Sequence, residues 1–262
     1  MTEKEMKVGR FLLNQIYLGD SLDIVKDIPS TSIDLILEDM PYNTTACEWD
    51  VKIDLELYWK TRLRILKSTG AIVLTATQPF ISELVMSNRK MFKYEWVWNK
   101  KRPTNFLNAK KEPLRQHENI LVFSKRSTLY NPIMHKNKLN RDFRGKLQNS
   151  QTDNYGKQRE FVSTVSNEES YPRSILEITA VTGNSGSKQG HPTQKPVGLF
   201  EYLIRTYTNE SDLVFDGFGG SGTTAVACHK CKRNFIVIEK EQKYFDLATR
   251  RLDDERRQLS LL

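Results

Sequence analysis

Residues 213–224 limit the fold of this 262-residue chain more than any other stretch. They read LVFDGFGGSGTT, a short apolar strand, a glycine-rich turn and the opening of a helix. Gly217, Gly219 and Gly222 satisfy G-x-G-x-x-G, and Glu239 stands at the end of the next predicted strand, 22 residues after the first of them. Glycines at such a turn let the backbone approach a nucleotide-like ligand, and a carboxylate on the next strand tip can accept from ribose hydroxyls. A plain turn would not need the strand, the helix and the acid at that offset. A P-loop would need Lys after Gly222, where Thr223 stands, so triphosphate hydrolysis is set aside. Asp216, directly before the first glycine, would face a pyrophosphate with like charge and suits a cationic ligand better. S-adenosylmethionine, with an ammonium, a sulfonium and no phosphate, matches such an acidic, glycine-lined pocket.

A nucleotide-binding sheet usually begins with this kind of strand, yet only 23 residues follow Glu239. The remaining strands must therefore come from the N-terminal half. That half alternates predicted strands at residues 15–18, 33–37 and 71–75 with predicted helices at 22–28 and 55–66, a βαβ rhythm that implies a parallel sheet. Two further strands are predicted at 94–98 and 119–123. From about 127 to 188, Asn, Gln, Ser, Lys and Gly dominate and apolar periodicity fades, which reads as an insert. The rhythm returns with a helix at 196–207, strands at 213–215 and 235–238, and helices from 223 and from 242 to about 257. The expected fold is α/β: one mostly parallel sheet in permuted order, assembled from two separated segments around a small insert.

Charge separates along the chain. Between Arg89 and Glu160 stand 18 Lys or Arg against 6 Asp or Glu, whereas the other residues hold 22 against 26, so the middle carries the whole positive excess of a chain with net charge +8. A basic stretch interleaved with aromatics and amides, such as Trp96 to Phe106, is the footprint expected for phosphate contact. No window approaches the roughly 18 apolar residues of a membrane span, the first dozen residues lack a secretory apolar core, and three cysteines exclude a disulfide framework. A cytoplasmic location is expected. Cys228 and Cys231 have C-x-x-C spacing, but no second pair completes four ligands, so they read as structural thiols and no metal is expected.

A second constellation, Glu38-Asp39-Met40-Pro41-Tyr42-Asn43, follows the predicted strand at 33–37. Ligands of open parallel sheets bind at the C-terminal strand ends, so this turn should lie near the glycine loop. Asp39, Pro41 and Tyr42 match three of the four positions of an Asp, Asn or Ser followed by Pro-Pro and an aromatic residue, the signature of the amino-methylating DNA methyltransferases. The chain resembles that family. Asp216 to Thr224 is similar to its cofactor loop, with Gly217 where the family has Pro. His191 to Pro196 resembles the segment before the helix that covers the methionine end of the cofactor, Gly19-Asp20 the adenine contact, and His117-Glu118-Asn119 a late strand of the catalytic half. The order of these matches, catalytic turn, variable insert, cofactor loop, is that of the beta group.

The resemblance implies methyl transfer from S-adenosylmethionine to an exocyclic base amine of double-stranded DNA, with the base flipped out. Asp39 and the Met40 carbonyl would hold the amino hydrogens, Pro41 would shape the turn and keep Met40 extended, and Tyr42 would stack on the base. Asp20, His191, Thr193, Lys195, Asp216, Phe218, Gly220, Ser221, Gly222, Thr223, Thr224 and Glu239 would bind the cofactor. Residues 1–126 would be the catalytic half, 127–188 the target-recognition insert and 189–262 the cofactor half. Lys100, Lys101, Arg102, Arg115, Lys136, Arg141 and Arg144 are the candidate DNA contacts. An Asp-initiated turn favours adenine N6 over cytosine N4 by association. The resemblance also suggests a homodimer and a bacterial or phage-infected host. The competing readings are methylation of RNA or a protein amide, and a DNA-binding protein with a vestigial cofactor pocket.

Overall fold

The computed structural model describes residues 6–41, 53–136, 169–181 and 194–259. In chain order the elements are β1 (Lys7–Val8), β2 (Phe11–Leu12), β3 (Gln15–Leu18), α1 (Ser21–Ile24), β4 (Ile33–Glu38), α2 (Leu55–Ile65), β5 (Leu66–Ala76), α3 (Phe80–Ser87), β6 (Phe92–Thr104), β7 (Arg115–Phe123), β8 (His135–Lys136), β9 (Glu169–Ser170), β10 (Ile175–Glu177), α4 (Val197–Tyr207), β11 (Leu213–Asp216), α5 (Thr223–Cys231), β12 (Asn234–Glu239) and α6 (Gln242–Leu259). Eight strands form one sheet in the order β10-β6-β7-β5-β4-β11-β12-β3, parallel except for β7, which runs antiparallel to both β5 and β6. The join between the two sequence segments lies at the centre, where β11 pairs with β4 through Val214 opposite Leu35 and Phe215 opposite Ile36. The permuted sheet is thus the observed one.

Consecutive residues of the central strands are buried on opposite faces, as period-two side chains between two helical layers must be. Ile36, Ile72, Phe215, Ile236 and Ile238 pack with Tyr58 and Trp59 of α2 and Phe80 and Leu84 of α3. Leu35, Leu37, Val73, Val214 and Val237 pack with Leu199, Phe200 and Leu203 of α4 and Ala225 and Cys228 of α5. Local chemistry starts the helices: the Asp54 carboxylate accepts from the Glu56 and Leu57 amides at the head of α2, and Asp20 accepts from Leu22 at the head of α1.

Several elements differ from the sequence expectation. The helix expected at 22–28 is one α-turn followed by a 3₁₀ turn over Val25–Asp27. Helix α3 is additional: only eight residues long, it buries Phe80, Ile81 and Leu84 and exposes Ser82, Glu83 and Ser87. Strand β10 pairs in parallel with β6, with Leu176 opposite Trp98. It lies inside the 127–188 window, where three residues are too few to show alternation. By contacts the chain divides into a unit of Met1–Asn131 with Ser174–Leu262 and a small unit of Pro132–Arg173. Within the small unit β8 and β9 pair antiparallel, with His135 opposite Ser170. Among the described residues, no helix is long and apolar enough to cross a membrane.

Candidate active site at the central strand ends

Strands β4 and β11 are neighbours whose chain continues in opposite directions across the sheet, β4 toward β5 and β11 toward β12. This is a topological switch point, where loops diverge and leave a crevice at the C-terminal strand ends. Glu38 and Asp216 end the two strands, so the Asp39 turn and the glycine loop flank that crevice.

One buried ion pair ties the loops together. Glu38 and Arg62, both 0% exposed, meet with Arg62 Nε and Nη2 each 3.0 Å from Glu38 Oε1. Tyr58 donates to Glu38 Oε2 at 2.6 Å, and the Gly217 amide donates to Oε1 at 3.0 Å. Arg62 Nη2 also donates to Ser21 Oγ at 3.0 Å, next to Asp20. The guanidinium lies 5.0, 5.2 and 5.7 Å from the ring centres of Tyr58, Phe215 and Phe218, so aromatic faces replace part of its lost hydration. A Cβ at Gly217 would stand 2.3 Å from Arg62 Nη2 and 2.7 Å from Glu38 Oε1. Proline, the residue of the resembled family, would clash there and remove the donated N–H. Gly217 is the partner that Glu38 and Arg62 require.

The glycine loop is held by inward carboxylates. Asp216 accepts from the Phe218 amide at 2.8 Å and from the Thr224 hydroxyl. Burial pushes its carboxyl up to about 8, against the Thr224 bond that pulls it down. It shapes the loop from beneath, where the sequence pointed to a charge facing a cationic ligand. Glu239 accepts from the Gly220 amide at 2.6 Å and the Glu241 amide at 2.8 Å, and burial raises its carboxyl despite those bonds. At Gly219 a Cβ would sit 2.5 Å from Val237 Cγ1, so the loop lies directly on β12. Arg251 of α6, which the sequence did not single out, donates to the Ser221 carbonyl and to Ser221 Oγ at 3.0 Å. Thr223 Oγ1 bonds the Lys195 carbonyl at 3.3 Å, and Asp20 pairs with Lys240 at 3.0 Å beside Glu239.

The Asp39 carboxylate accepts from the Thr75 hydroxyl and, at 2.7 Å, from Lys195 Nζ. Lys195 Nζ also lies 3.4 Å from Glu118 Oε2, and Lys100 Nζ lies 3.3 Å from Glu118 Oε1. Four charges of alternating sign therefore run from the Asp39 turn to β6. Two expectations change. Lys195, read as a cofactor contact, has its ammonium on Asp39. Lys100, read as a DNA contact, is 8% exposed and paired with Glu118 because its position on β6 points toward that strand-end cluster. Met40, where the resembled family has Pro, is buried in the core face of α2 and α3. Lys101, Arg102 and Arg115 are exposed on the β6–β7 hairpin, and Lys136 is exposed in the small unit. Tyr42, His191, Thr193, Arg141 and Arg144 lie outside the described residues. Cys228 and Cys231 are buried free thiols on α5, and the described residues hold no group of three metal-ligating side chains.

This sheet, with a glycine loop and an acidic turn at its switch point, defines a methyltransferase-type α/β fold. The profile of the DNA methylase family matches residues 33–250. The chain is 32% identical to the Type II methyltransferase M.HinfI of Haemophilus influenzae over 92% of its own length and 68% of the relative's. It is 30% identical to the DNA adenine methyltransferase YhdJ of Escherichia coli, over 90% of this chain and 81% of that one. Among solved structures, the M1.HpyAVI complex with S-adenosylmethionine is similar over 91% of this chain and 98% of that one, with a TM-score of 0.62 and 25% identity. The chain belongs to the N6/N4 DNA methylase family, whose members are S-adenosylmethionine-dependent DNA methyltransferases.

Removing one partner of a buried pair strands the other, so Arg62→Met should lower unfolding free energy by about 3–5 kcal/mol in urea titration. A change below about 1 kcal/mol would mean that water reaches Glu38. Asp216 carries a pH signature: unfolded it ionises near 3.8, folded near 8, so unfolding between those values releases a proton. Its contribution to stability is full below pH 4, declines by about 1.4 kcal/mol per unit as pH rises toward 8, and is level above. Asp216→Asn should flatten the slope of stability between pH 5 and 8; an unchanged slope would show that Asp216 is ionised in the fold.

Proposed function

We propose that the chain transfers a methyl group from S-adenosylmethionine to the N6 amine of adenine in double-stranded DNA, with the target base flipped from the stack. The observation that carries this reading is Asp39, held by Thr75 and Lys195 at the end of β4, across the switch point from a glycine loop too close to β12 for any side chain at Gly219. That cradle fits the cofactor: Phe218, Gly220, Ser221 and the amides around them would shape its pocket, Glu239 would take the ribose and Asp20 the adenine side. The cofactor supplies an electrophilic methyl on a sulfonium; the N–C bond forms as the S–C bond breaks, sulfur keeps the pair, and the amine sheds one proton.

An exocyclic amine is a weak nucleophile because its lone pair is delocalised into the ring. An ionised carboxylate is acceptor-only. Asp39 with the Met40 carbonyl would therefore hold both amino hydrogens and favour a tetrahedral nitrogen with its pair directed at the methyl. Lys195 and Thr75 fix the carboxylate against rotation. Tyr42 would stack on the extruded base, repaying part of the lost stacking. Adenine is supported by the Asp-initiated turn and by the adenine specificity in the name of the relative YhdJ.

Digestion of methylated DNA to nucleosides after incubation with labelled cofactor decides the base: N6-methyladenine is expected, and 4-methylcytosine alone would refute the adenine reading. Asp39→Ala should keep cofactor affinity within severalfold by calorimetry and lose roughly 10²-fold or more in kcat; wild-type turnover would remove Asp39 from the chemistry. Lys195→Met should likewise lower kcat more than it raises KM for S-adenosylmethionine. The opposite split would return Lys195 to the cofactor site.

A further inference from the structure

Beyond the sheet, β6 and β7 continue as a hairpin. Trp98 stands opposite Glu118 and Asn99 opposite His117, but the next pair is Thr104 with Arg115, so four residues, 100–103, stand against one, Gln116. Lys101, at φ 59°, lies in this bulge, where the strand bends. Its tip is ordered by its own polar groups: Asn105 Nδ2 donates to Glu112 Oε1, Asn108 Nδ2 to Asn105 Oδ1 at 2.9 Å, and the Lys111 and Glu112 amides both donate to the Asn108 carbonyl. This fixed tip displays Phe106, 66% exposed, and Leu107, 100% exposed.

Two large apolar side chains in water on a rigid loop have no role in the core. Their surroundings select a partner. Residues 99–115 hold six Lys or Arg and one acid, Glu112, which pairs with Arg115 at 3.6 Å. Lys110 and Lys111 flank the apolar pair and are exposed. Protein–protein interfaces are depleted in lysine. Apolar residues surrounded by cations are the arrangement by which proteins enter a DNA groove and part its base steps. The hairpin's base is tied to the reaction centre, since Glu118 pairs with Lys195 and Lys195 with Asp39. From Glu118 to the last paired residue, Arg115, the strand extends on the order of 10 Å, about the rise of three stacked base pairs, and the tip lies farther along it.

We propose that Phe106 and Leu107 form a wedge that inserts into the stack of duplex DNA beside the target nucleotide, lowering the cost of extruding the base, while Lys110 and Lys111 hold the flanking phosphates. This rests on the DNA-amine reading above and adds the element that opens the duplex. The side chains are exposed, so their replacement leaves the fold intact.

The test compares wild type with Phe106→Ser/Leu107→Ser on two substrates: a duplex with the target base paired, and the same duplex with an abasic site opposite the target. The double variant should lose at least tenfold in kcat/KM on the paired duplex, recover most of that loss on the abasic-opposed duplex, and keep KM for S-adenosylmethionine within twofold. Phe106→Trp/Leu107→Met, which keeps the apolar bulk, should retain paired-duplex activity. Equal loss on both substrates, or no loss on either, overturns the wedge while leaving wild-type methylation in place. Conversion of a sedimenting dimer to monomer by the Ser variant assigns the tip to a second copy and also overturns it. Failure of wild type to methylate either duplex would defeat the DNA-amine reading itself.

Discussion

The pair between Glu38 and Arg62 is the interaction on which the site's geometry depends. Glu38 immediately precedes Asp39, Gly217 immediately follows Asp216, and Ser21 immediately follows Asp20; the pair bonds or abuts all three loops. Burying two charges is costly, and a buried ion pair gives weak stability unless its remaining hydrogen-bond positions are also filled. Here they are filled by a phenol, a backbone amide and a hydroxyl, with three aromatic faces around the guanidinium. What such a pair supplies is orientation. A hydrophobic substitute could fill the volume, but could not hold the Gly217 amide and the Ser21 hydroxyl at fixed positions. The registration of the Asp39 turn against the glycine loop is set by these bonds, and in the proposed methyl transfer a misplacement of about 1 Å would cost on the order of 100-fold in rate.

How much of this was legible in the sequence depends on whether the signal was local. The glycine loop, the strand before it and the acid after it lie within 27 residues; Gly222 at φ 76° opens α5 and Gly219 lies on β12, whereas Gly217 answers to Glu38 and Arg62 far off in the sequence. The Asp39 turn is equally local. The sheet centre was legible by elimination, because strands missing after Glu239 had to come from the other segment. Arg62, Arg251 and Lys195 were not legible in these roles. Their partners stand 24, 30 and 156 residues away, and Arg62 and Arg251 lie on helices while Lys195 lies in the loop before α4. Arg62 is the sharpest case: unlike Lys60 and Arg64 it falls three or four residues from Tyr58, Trp59 and Ile65 on the buried face, a spacing that places it there, while its partner Glu38 could not be read locally.

The two departures from the resembled motifs have structural reasons that the motifs alone hide. Met40 places its side chain in the core beneath the turn, so the position still contributes its backbone while packing against the α2 and α3 layer. Gly217 makes room for the Glu38–Arg62 pair. Each substitution is accommodated by residues elsewhere in the fold. Looseness of the turn, the natural worry when a ring is lost from a loop, is countered by Pro41 after Met40 and by bonds from Thr75 and Lys195 to the adjoining carboxylate.

The positive excess of the middle segment divides into two populations. Lys100 is consumed internally, opposite Glu118, and with Lys195 and Asp39 it completes a run of alternating signs whose sum is zero. Each carboxylate of the run has a cation at ion-pair distance, although Glu118 Oε2, 3.4 Å from Lys195 Nζ, is buried without a hydrogen bond. The run is also a mechanical link, because removing Glu118 would leave Lys195 and Lys100 repelling each other across the space it fills. The base of the hairpin and the carboxylate of Asp39 are therefore held by the same charges. Beyond that base the cations lie on the bulged and exposed portion of the hairpin, where Lys101 pairs with Glu177 at 3.2 Å and Arg115 with Glu112 at 3.6 Å near the surface. A segment that is basic in composition thus spends one cation on the Asp39 cluster at its root and keeps others exposed at its tip, where the proposed contact with DNA would be made.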